Sequence, residues 1–115
     1  MTTLAQPVVS HLVTNRVVWT YQPDGWPRGL ITGAENEKGF FIEHVVVFPG
    51  APRGTLAAMV RAGLAEAWTR GYRSLGFYLP DAFPLRLRLD HLAQRLGFEP
   101  YARDMGEVFY ILWHP

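Results

Sequence analysis

One amphipathic segment constrains the fold of this chain more than any other feature. From Leu56 to Trp68, apolar residues recur at intervals of three and four, which places them on one face of an α-helix. Thr55 suits the N-cap of such a helix, and Gly71 suits the position just beyond its last turn. We therefore predict a helix that begins near Thr55, ends before Gly71 and buries an apolar stripe.

The sequence on both sides of this helix has the composition of β-strands. Segments rich in β-branched and aromatic residues alternate with Gly, Pro and Asp, which are typical of turns. Short loops join the first three strands, which favours antiparallel pairing, whereas the strands on either side of the helix should be parallel. The predicted strands cover residues 16–21, 29–33, 40–48, 72–79, 98–103 and 107–113.

A second helix should begin between Pro84 and Arg88 and stop at Gly97, because leucines fall on one helical face and Gly suits a helix end. The predicted order is then β-β-β-α-β-α-β-β. This order defines an α/β (α+β) fold: a mixed, mostly antiparallel sheet with a central β-α-β unit and two main helices. The final strand is apolar on both faces from Val108 to Trp113, so we expect it to be covered or shared with another subunit.

The length of 115 residues predicts a single domain spanning residues 1–115. The first fifteen residues are weakly patterned, and we interpret residues 4–13 as a short helix. The N-terminus lacks the basic start and long apolar core of a secretory signal, and no apolar run is long enough to cross a membrane. We therefore expect a cytoplasmic protein or, if a phage encodes it, one in the host cytoplasm or the virion.

Charge and cysteine content exclude several kinds of function. The net charge of +1 is too small for a broad nucleic-acid surface, although ten of the eleven basic residues are arginine, which suits phosphate and carboxylate recognition. The absence of cysteine excludes disulfides, thiolate nucleophiles and cysteine zinc sites. The four histidines lack the spacing of metal ligands, so we predict no metal site.

The loop between the third strand and the first helix is the strongest candidate for a binding site. The strand ends at Pro49 and leads through Arg53 and Gly54 directly into the helix. The free N–H groups of a first helical turn and the helix dipole both favour an anion, and an arginine can add a bidentate contact to phosphate. The same spacing is also compatible with an ordinary strand-to-helix turn.

With this loop, the chain resembles the GNAT superfamily of N-acetyltransferases. In that family a strand ending in Val-x-Pro leads into an Arg-Gly-x-Gly-x-Gly/Ala loop and a long helix, and a Leu-Gly-Phe-Glu sequence opens the final strand pair. Here Arg53-Gly54 begins the loop, and Leu96-Gly97-Phe98-Glu99 stands where the second motif belongs. The resemblance runs from about Arg16 to Trp113, and its specific motifs lie between Phe40 and Glu99.

The resemblance implies binding of acetyl-CoA and direct transfer of its acetyl group to an amine, without a metal. The strand backbone would pair with the pantetheine arm where the third and fourth strands splay apart. Glu43 would be the general base, on the same strand face as Val45 and Val47, with His44 on the opposite face as the second candidate. The implied cofactor-binding residues are Val45, Val46 and Val47 in the strand, and Arg53, Gly54, Thr55, Leu56, Ala57 and Ala58 in the loop and first turn.

Three departures from the family pattern support an alternative function. Leu56 replaces the middle glycine of the loop, and Ala93 stands where the family often has the tyrosine that protonates the departing thiolate. Only about fifteen residues precede the strand at Arg16, where the family has a strand and two helices that build much of the acceptor site. The alternative is a catalytically inactive GNAT-like structural or interaction subunit, for example of a phage particle. In either case we expect a homo-oligomer or another protein subunit as partner, and the acceptor amine is not identified.

Overall fold

The described residues form one seven-stranded sheet with two helices. The computed structural model describes residues 8–13, 16–37, 39–84 and 86–115, with the backbone alone for residues 11–13. Its strands lie in the order β1-β2-β3-β4-β5-β7-β6. The elements are β1 (Val8–Val13), β2 (Arg16–Tyr21), β3 (Gly29–Glu35), β4 (Phe40–Val47), α1 (Thr55–Thr69), β5 (Ser74–Pro80), α2 (Arg86–Arg95), β6 (Glu99–Asp104) and β7 (Glu107–Trp113).

From Arg16 onward, the element order agrees with the sequence prediction. Strands β2, β3 and β4 pair antiparallel in succession, and β4 and β5 pair in parallel across α1. Strand β7 lies between β5 and β6, so its apolar residues belong to an interior strand and not to an edge. The fold class, a mixed and mostly antiparallel sheet with two main helices, is confirmed.

The predicted helix over residues 4–13 is wrong for the part that the structure describes. Residues 8–13 form β1, which pairs antiparallel with β2 from Val8–Tyr21 to Val13–Arg16. The β-branched residues in this segment favour a strand, and pairing with β2 gives its backbone groups partners that a short isolated helix would lack. Residues 4–7 lie outside the described residues.

Both helices pack on the same face of the sheet, which we call the covered face. Helix α1 lies over Trp19 and Ile31, because a Cβ added at Gly63 of the helix would meet both side chains. Helix α2 lies over Tyr110, whose hydroxyl donates a hydrogen bond to Asp90 of that helix. The cross-strand pairs Gly33–Ile42, Ile42–Phe77 and Phe77–Tyr110 place all of these side chains on one side of the sheet.

The opposite face, which we call the open face, has no helix over it among the described residues. The hydrophobic core therefore lies between the covered face and the helices, and its largest fully buried side chains are Trp19, Phe40, Met59 and Leu75. Trp19 and Phe40 stack with ring centroids 4.5 Å apart. The chain thus has one packed layer of helices, where a sheet covered on both faces would have two.

Candidate functional site

Strand β4 is paired on both sides at its start and on one side only at its end. Its parallel ladder with β5 consists of three residue pairs, from Phe40–Leu75 to Ile42–Phe77. Its antiparallel ladder with β3 continues to Val47. In the described part of the chain no strand therefore pairs with the β5 side of residues 43–47, and unpaired backbone groups there can bind an extended ligand as an added strand.

A β-bulge in β4 changes the direction of its side chains at the candidate base. Thr32 pairs with His44 and Gly33 pairs with Ile42, so Glu43 is an extra residue without a partner in the register. The expectation that Glu43 shares a face with Val45 and Val47 is wrong. Val45 pairs with the buried Ile31 and faces α1, whereas Glu43 and His44 both reach the open face.

Both candidate bases have a hydrogen-bond partner on the open face. Glu43 Oε1 accepts from Arg16 Nη1 at 2.5 Å, and no partner is recorded for its Oε2 among the described residues. His44 Nδ1 lies 3.1 Å from Thr32 Oγ1, so its Nε2 is the ring nitrogen left to exchange a proton with a ligand. The bulge therefore brings a carboxylate and an imidazole side by side next to the opening between β4 and β5.

The N-terminus of α1 presents free backbone donors near the end of β4. Gly54, with φ of 86°, is the N-cap, so the prediction of Thr55 at this position is wrong. Thr55 is buried as the first helical residue, and its hydroxyl donates to Pro52 O at 2.5 Å. A residue in the left-handed conformation at the N-cap suits glycine, and it leaves the first turn without a side-chain cap.

Only part of the predicted loop has amides available for a ligand. The N–H of Thr55 donates to Pro52 O, and the N–H of Ala58 donates to Gly54 O, as the first bond of the helix. The N–H groups of Leu56 and Ala57 have no backbone or side-chain acceptor among the described residues. The Leu56 side chain packs against the core, so it does not fill the space in front of these amides.

Arg53 is an exposed cation beside these amides. Within the described ranges no carboxylate pairs with it, in contrast to five other arginines that do form ion pairs. A Cβ added at Gly50 or Gly54 meets no atom within 4 Å, so the loop is open above its backbone. A cation, two free amides and a helix N-terminus together make this loop suitable for a phosphate or pyrophosphate.

Ala93, at the position where the family often has a tyrosine, cannot protonate a leaving group. Ala93 is 4% exposed, and its carbonyl accepts hydrogen bonds from the N–H groups of Leu96 and Phe98. Tyr101, the first tyrosine after Ala93 in the sequence, lies on β6, so β5 and β7 separate it from β4. At about 4.8 Å per strand, its backbone is about 14 Å from that strand.

Sequence reasoning missed an aromatic surface on the open face beside the β4–β5 opening. It consists of Phe41, Tyr78, Tyr101 and Phe109. The ring centroids of Phe41 and Tyr78 are 5.5 Å apart, those of Tyr78 and Phe109 are 5.0 Å apart, and Tyr101 contacts Phe109 at 6.1 Å. The apolar residues on both faces of β7 could have indicated this aromatic surface, but the same pattern is also typical of a buried strand or a subunit contact, which is what we predicted.

Neither a metal centre nor a membrane-spanning helix is found in the part of the chain that the structure describes. No three or more His, Asp or Glu side chains there cluster as a metal site would require. Neither of the two helices is long and apolar enough to cross a membrane.

The fold is that of GNAT-family acetyltransferases. No protein-family model matches the sequence, and no curated protein is significantly similar to it. Solved structures with the same fold include an IAA acetyltransferase from Bacillus cereus, with a TM-score of 0.70 and 14% identity over 90% of this chain and 81% of the other. At such low identity, the similarity establishes the fold and not the activity.

Two further structures with this fold contain the co-substrate that the sequence resemblance implies. An acetyltransferase from Bacillus subtilis in complex with CoA has a TM-score of 0.71 and 14% identity over 90% of this chain and 80% of the other. A GNAT-family acetyltransferase from Elizabethkingia anophelis with acetyl-CoA bound has a TM-score of 0.70 and 10% identity over 90% of this chain and 79% of the other.

Proposed function

We propose that this protein is an acetyl-CoA-dependent N-acetyltransferase that transfers the acetyl group directly to an amine. The observation that carries the proposal is the end of the β4–β5 ladder at Ile42–Phe77, immediately before the loop that leads to α1. An unpaired strand edge and an anion-binding helix N-terminus lie in succession along the chain. A ligand with an amide-containing arm and a pyrophosphate can use both.

The backbone and the loop bind the two parts of this ligand. The edge of β4 at Val45, Val46 and Val47 offers N–H and C=O groups to the amides of pantetheine. The free N–H groups of Leu56 and Ala57, with the guanidinium of Arg53, bind the pyrophosphate. Gly54, Thr55 and Ala58 shape this turn, since two of its hydrogen bonds run within the loop itself.

Bound acetyl-CoA supplies an activated acetyl group: the amine nitrogen bonds to the thioester carbonyl carbon, the carbon–sulfur bond breaks, and CoA leaves as a thiolate that takes a proton from water to become the thiol. A backbone N–H of β4 stabilises the negative charge that develops on the carbonyl oxygen. Glu43, through its free Oε2, removes a proton from the amine, and Arg16 holds this carboxylate in place. His44 is the second candidate for the base, on the same face.

Titration calorimetry with acetyl-CoA tests the binding half of the proposal. We expect Arg53→Ala to weaken binding by about tenfold, the effect of losing one charge-assisted contact of about 1.4 kcal/mol. Arg61→Ala is the matched control, because Arg61 is also exposed and also without an ion pair among the described residues, but lies within α1. No heat with millimolar acetyl-CoA would refute the proposal, and equal losses in both variants would remove Arg53 from the site.

Release of free thiol from acetyl-CoA, measured with a panel of primary amines, tests the catalytic half. We expect Glu43→Gln to lower turnover by about a hundredfold or more while the affinity for acetyl-CoA is retained, as for a general base. If His44→Gln shows this loss and Glu43→Gln does not, His44 is the base. If neither variant loses turnover, neither Glu43 nor His44 is the general base.

The second candidate function is a structural or interaction subunit without catalysis. Two observations favour it: the buried Ala93 leaves the departing thiolate without the tyrosine common in the family, and the aromatic surface is exposed. If this second function is correct, acetyl-CoA does not bind in calorimetry. Light scattering should then detect a stable complex of the protein with itself or with another subunit. Phage origin, cytoplasmic location and oligomeric state remain predictions.

A further inference from the structure

The aromatic surface continues into a groove on the open face. The groove has a volume of about 420 Å³, within the range of small-molecule sites, and its apolar walls are formed by Phe41, Phe109, Ile111 and Trp113. Trp113 is 52% exposed and Tyr78 beside the groove is 49% exposed, so flat apolar area remains available to a ligand.

The Phe109 ring covers Gly76 on the floor of the groove. A Cβ added to Gly76 would come within 2.7 Å of this ring. The ring therefore forms part of the surface that the groove offers to an aromatic group of a ligand. Stacked or edge-on contacts with aromatic rings are the interactions that such walls offer.

The position of the groove relates it to the proposed reaction. Phe41 and Gly76 form the middle pair of the β4–β5 ladder, and the next pair, Ile42–Phe77, is the last before the strands separate. Glu43 and His44 reach the same face just beyond that point. A molecule whose flat part lies in the groove therefore has its other end at the opening where the acetyl group would be.

The charge of the groove restricts what can bind. Glu37 is the one charged residue among the described residues that line it. Primary amines are protonated at neutral pH, and the aromatic faces and the carboxylate of Glu43 attract such a cation at one end of the ligand. A carboxylate on the flat part of the ligand, at the other end, would be repelled by Glu37.

We propose that the acceptor is a primary amine whose other end is a flat apolar group without a carboxylate. The flat group stacks on Phe41, Phe109 and Trp113, and the amine nitrogen extends to Glu43 and His44. This inference rests on the proposed acetyltransferase function, and it names the class of acceptor that the open face selects.

Calorimetric titration of the full chain with three amines, each with and without CoA, tests the inference. We expect 2-phenylethylamine to bind about tenfold more tightly than propylamine, because stacking on aromatic walls contributes about 1.4 kcal/mol. 4-(2-Aminoethyl)benzoate, which carries its carboxylate on the ring, should bind more weakly than 2-phenylethylamine, and Glu37→Gln should narrow that difference in affinity. The same order is expected for rates of thiol release from acetyl-CoA.

Two tryptophan variants form the matched pair. Trp113→Ala should lower the affinity for 2-phenylethylamine by about fivefold and leave that for propylamine unchanged. Trp26→Ala is the control, since Trp26 is 71% exposed in the β2–β3 connection, outside the groove. Thermal unfolding followed by circular dichroism checks that both variants fold.

Equal affinities for 2-phenylethylamine and propylamine would overturn the inference, and so would equal effects of the two tryptophan substitutions. A dimer in sedimentation that shields Trp113 from an added quencher would also overturn it, since a second copy would then occupy the face. If acetyl-CoA binds and only aliphatic or carboxylate-bearing amines react, this inference fails while the proposed function stands. If acetyl-CoA itself does not bind, the proposed function fails first.

Discussion

Phe40 and Phe41 are neighbours in β4, yet they lie in different environments. Phe40 points to the covered face, is 2% exposed and stacks on Trp19. Phe41 points to the open face, is partly exposed and contacts Tyr78 and Phe109. One face of the sheet is thus a packed interior, and the other presents similar side chains to solvent. The comparison shows that the stability of this fold comes mainly from one face, which leaves the other available for binding.

The substitutions Phe40→Ala and Phe41→Ala test this difference most directly. We expect Phe40→Ala to lower the free energy of unfolding by about 3–5 kcal/mol, because it leaves a cavity in a closed core. Phe41→Ala should cost only about 1–2 kcal/mol, because water can fill the space on an open face and less apolar area is lost. Urea denaturation of both variants measures the difference. Equal costs would mean that another molecule or subunit covers the open face.

Two glycines give a second matched pair, with a smaller effect. Gly33 is on the covered face, where an added Cβ would come within 2.2 Å of the backbone oxygen of Phe41. Gly76 is on the open face, where the nearest atoms belong to the end of the Phe109 ring. Gly33→Ala should destabilise by about 1–3 kcal/mol, because the backbone must shift. Gly76→Ala should cost less in thermal unfolding, because the ring can turn into solvent. A larger loss for Gly76→Ala would contradict the comparison.

A third pair uses tyrosine ionisation. Burial, together with a hydrogen bond to Glu35, raises the pKa of Tyr72 from 10.0 to about 12. Because the folded state disfavours the ionised phenol, Tyr72 contributes stability that is present below pH 10 and is lost as the pH rises toward 12.

Unfolding free energies measured across this range should therefore fall less steeply in Tyr72→Phe than in the unchanged protein. The pair compared is thus the unchanged protein and Tyr72→Phe, and identical slopes in the two would show that the pKa of Tyr72 is not raised.

The smallest effect is expected at the Arg16–Glu43 ion pair on the open face. A double-mutant cycle with Arg16→Gln and Glu43→Gln should give a coupling energy of about 0.2–1 kcal/mol, as for other exposed pairs. The Arg70–Glu66 pair on α1 is the reference. A coupling of several kcal/mol would give Glu43 a structural role large enough to explain a loss of turnover in Glu43→Gln.

Sequence periodicity predicts the parts of the fold that depend on local contacts. Helix α1 is an example: its stripe is complete, and Gly71 has φ of 84° just beyond its end, as expected. The helix begins at Thr55 as predicted, but its N-cap is Gly54 and not Thr55. A glycine N-cap carries no side-chain signal, so the threonine beside it gave a misleading one.

The candidate site depends on contacts between distant segments, so the sequence could indicate candidate residues but could not predict the directions of their side chains. The bulge at Glu43 arises from the pairing of β4 with β3, and no residue in β4 marks it. The apolar pattern of β7 was compatible with burial on both faces. Whether its outer side chains, such as Phe109, are covered depends on helices elsewhere in the chain. Strand β1 was missed because six weakly patterned residues become a strand only through pairing with β2.

The three residue pairs between β4 and β5 join two half-sheets, one made of β1 to β4 and the other of β5 to β7. Few backbone hydrogen bonds cross so short a joint, and amide hydrogen exchange would register whether the two halves open separately. An extended ligand seated in the opening, with hydrogen bonds to both halves, would lengthen that joint. Binding would then change the cooperativity of the whole sheet, so the ligand would act as a structural strand as well as a reactant.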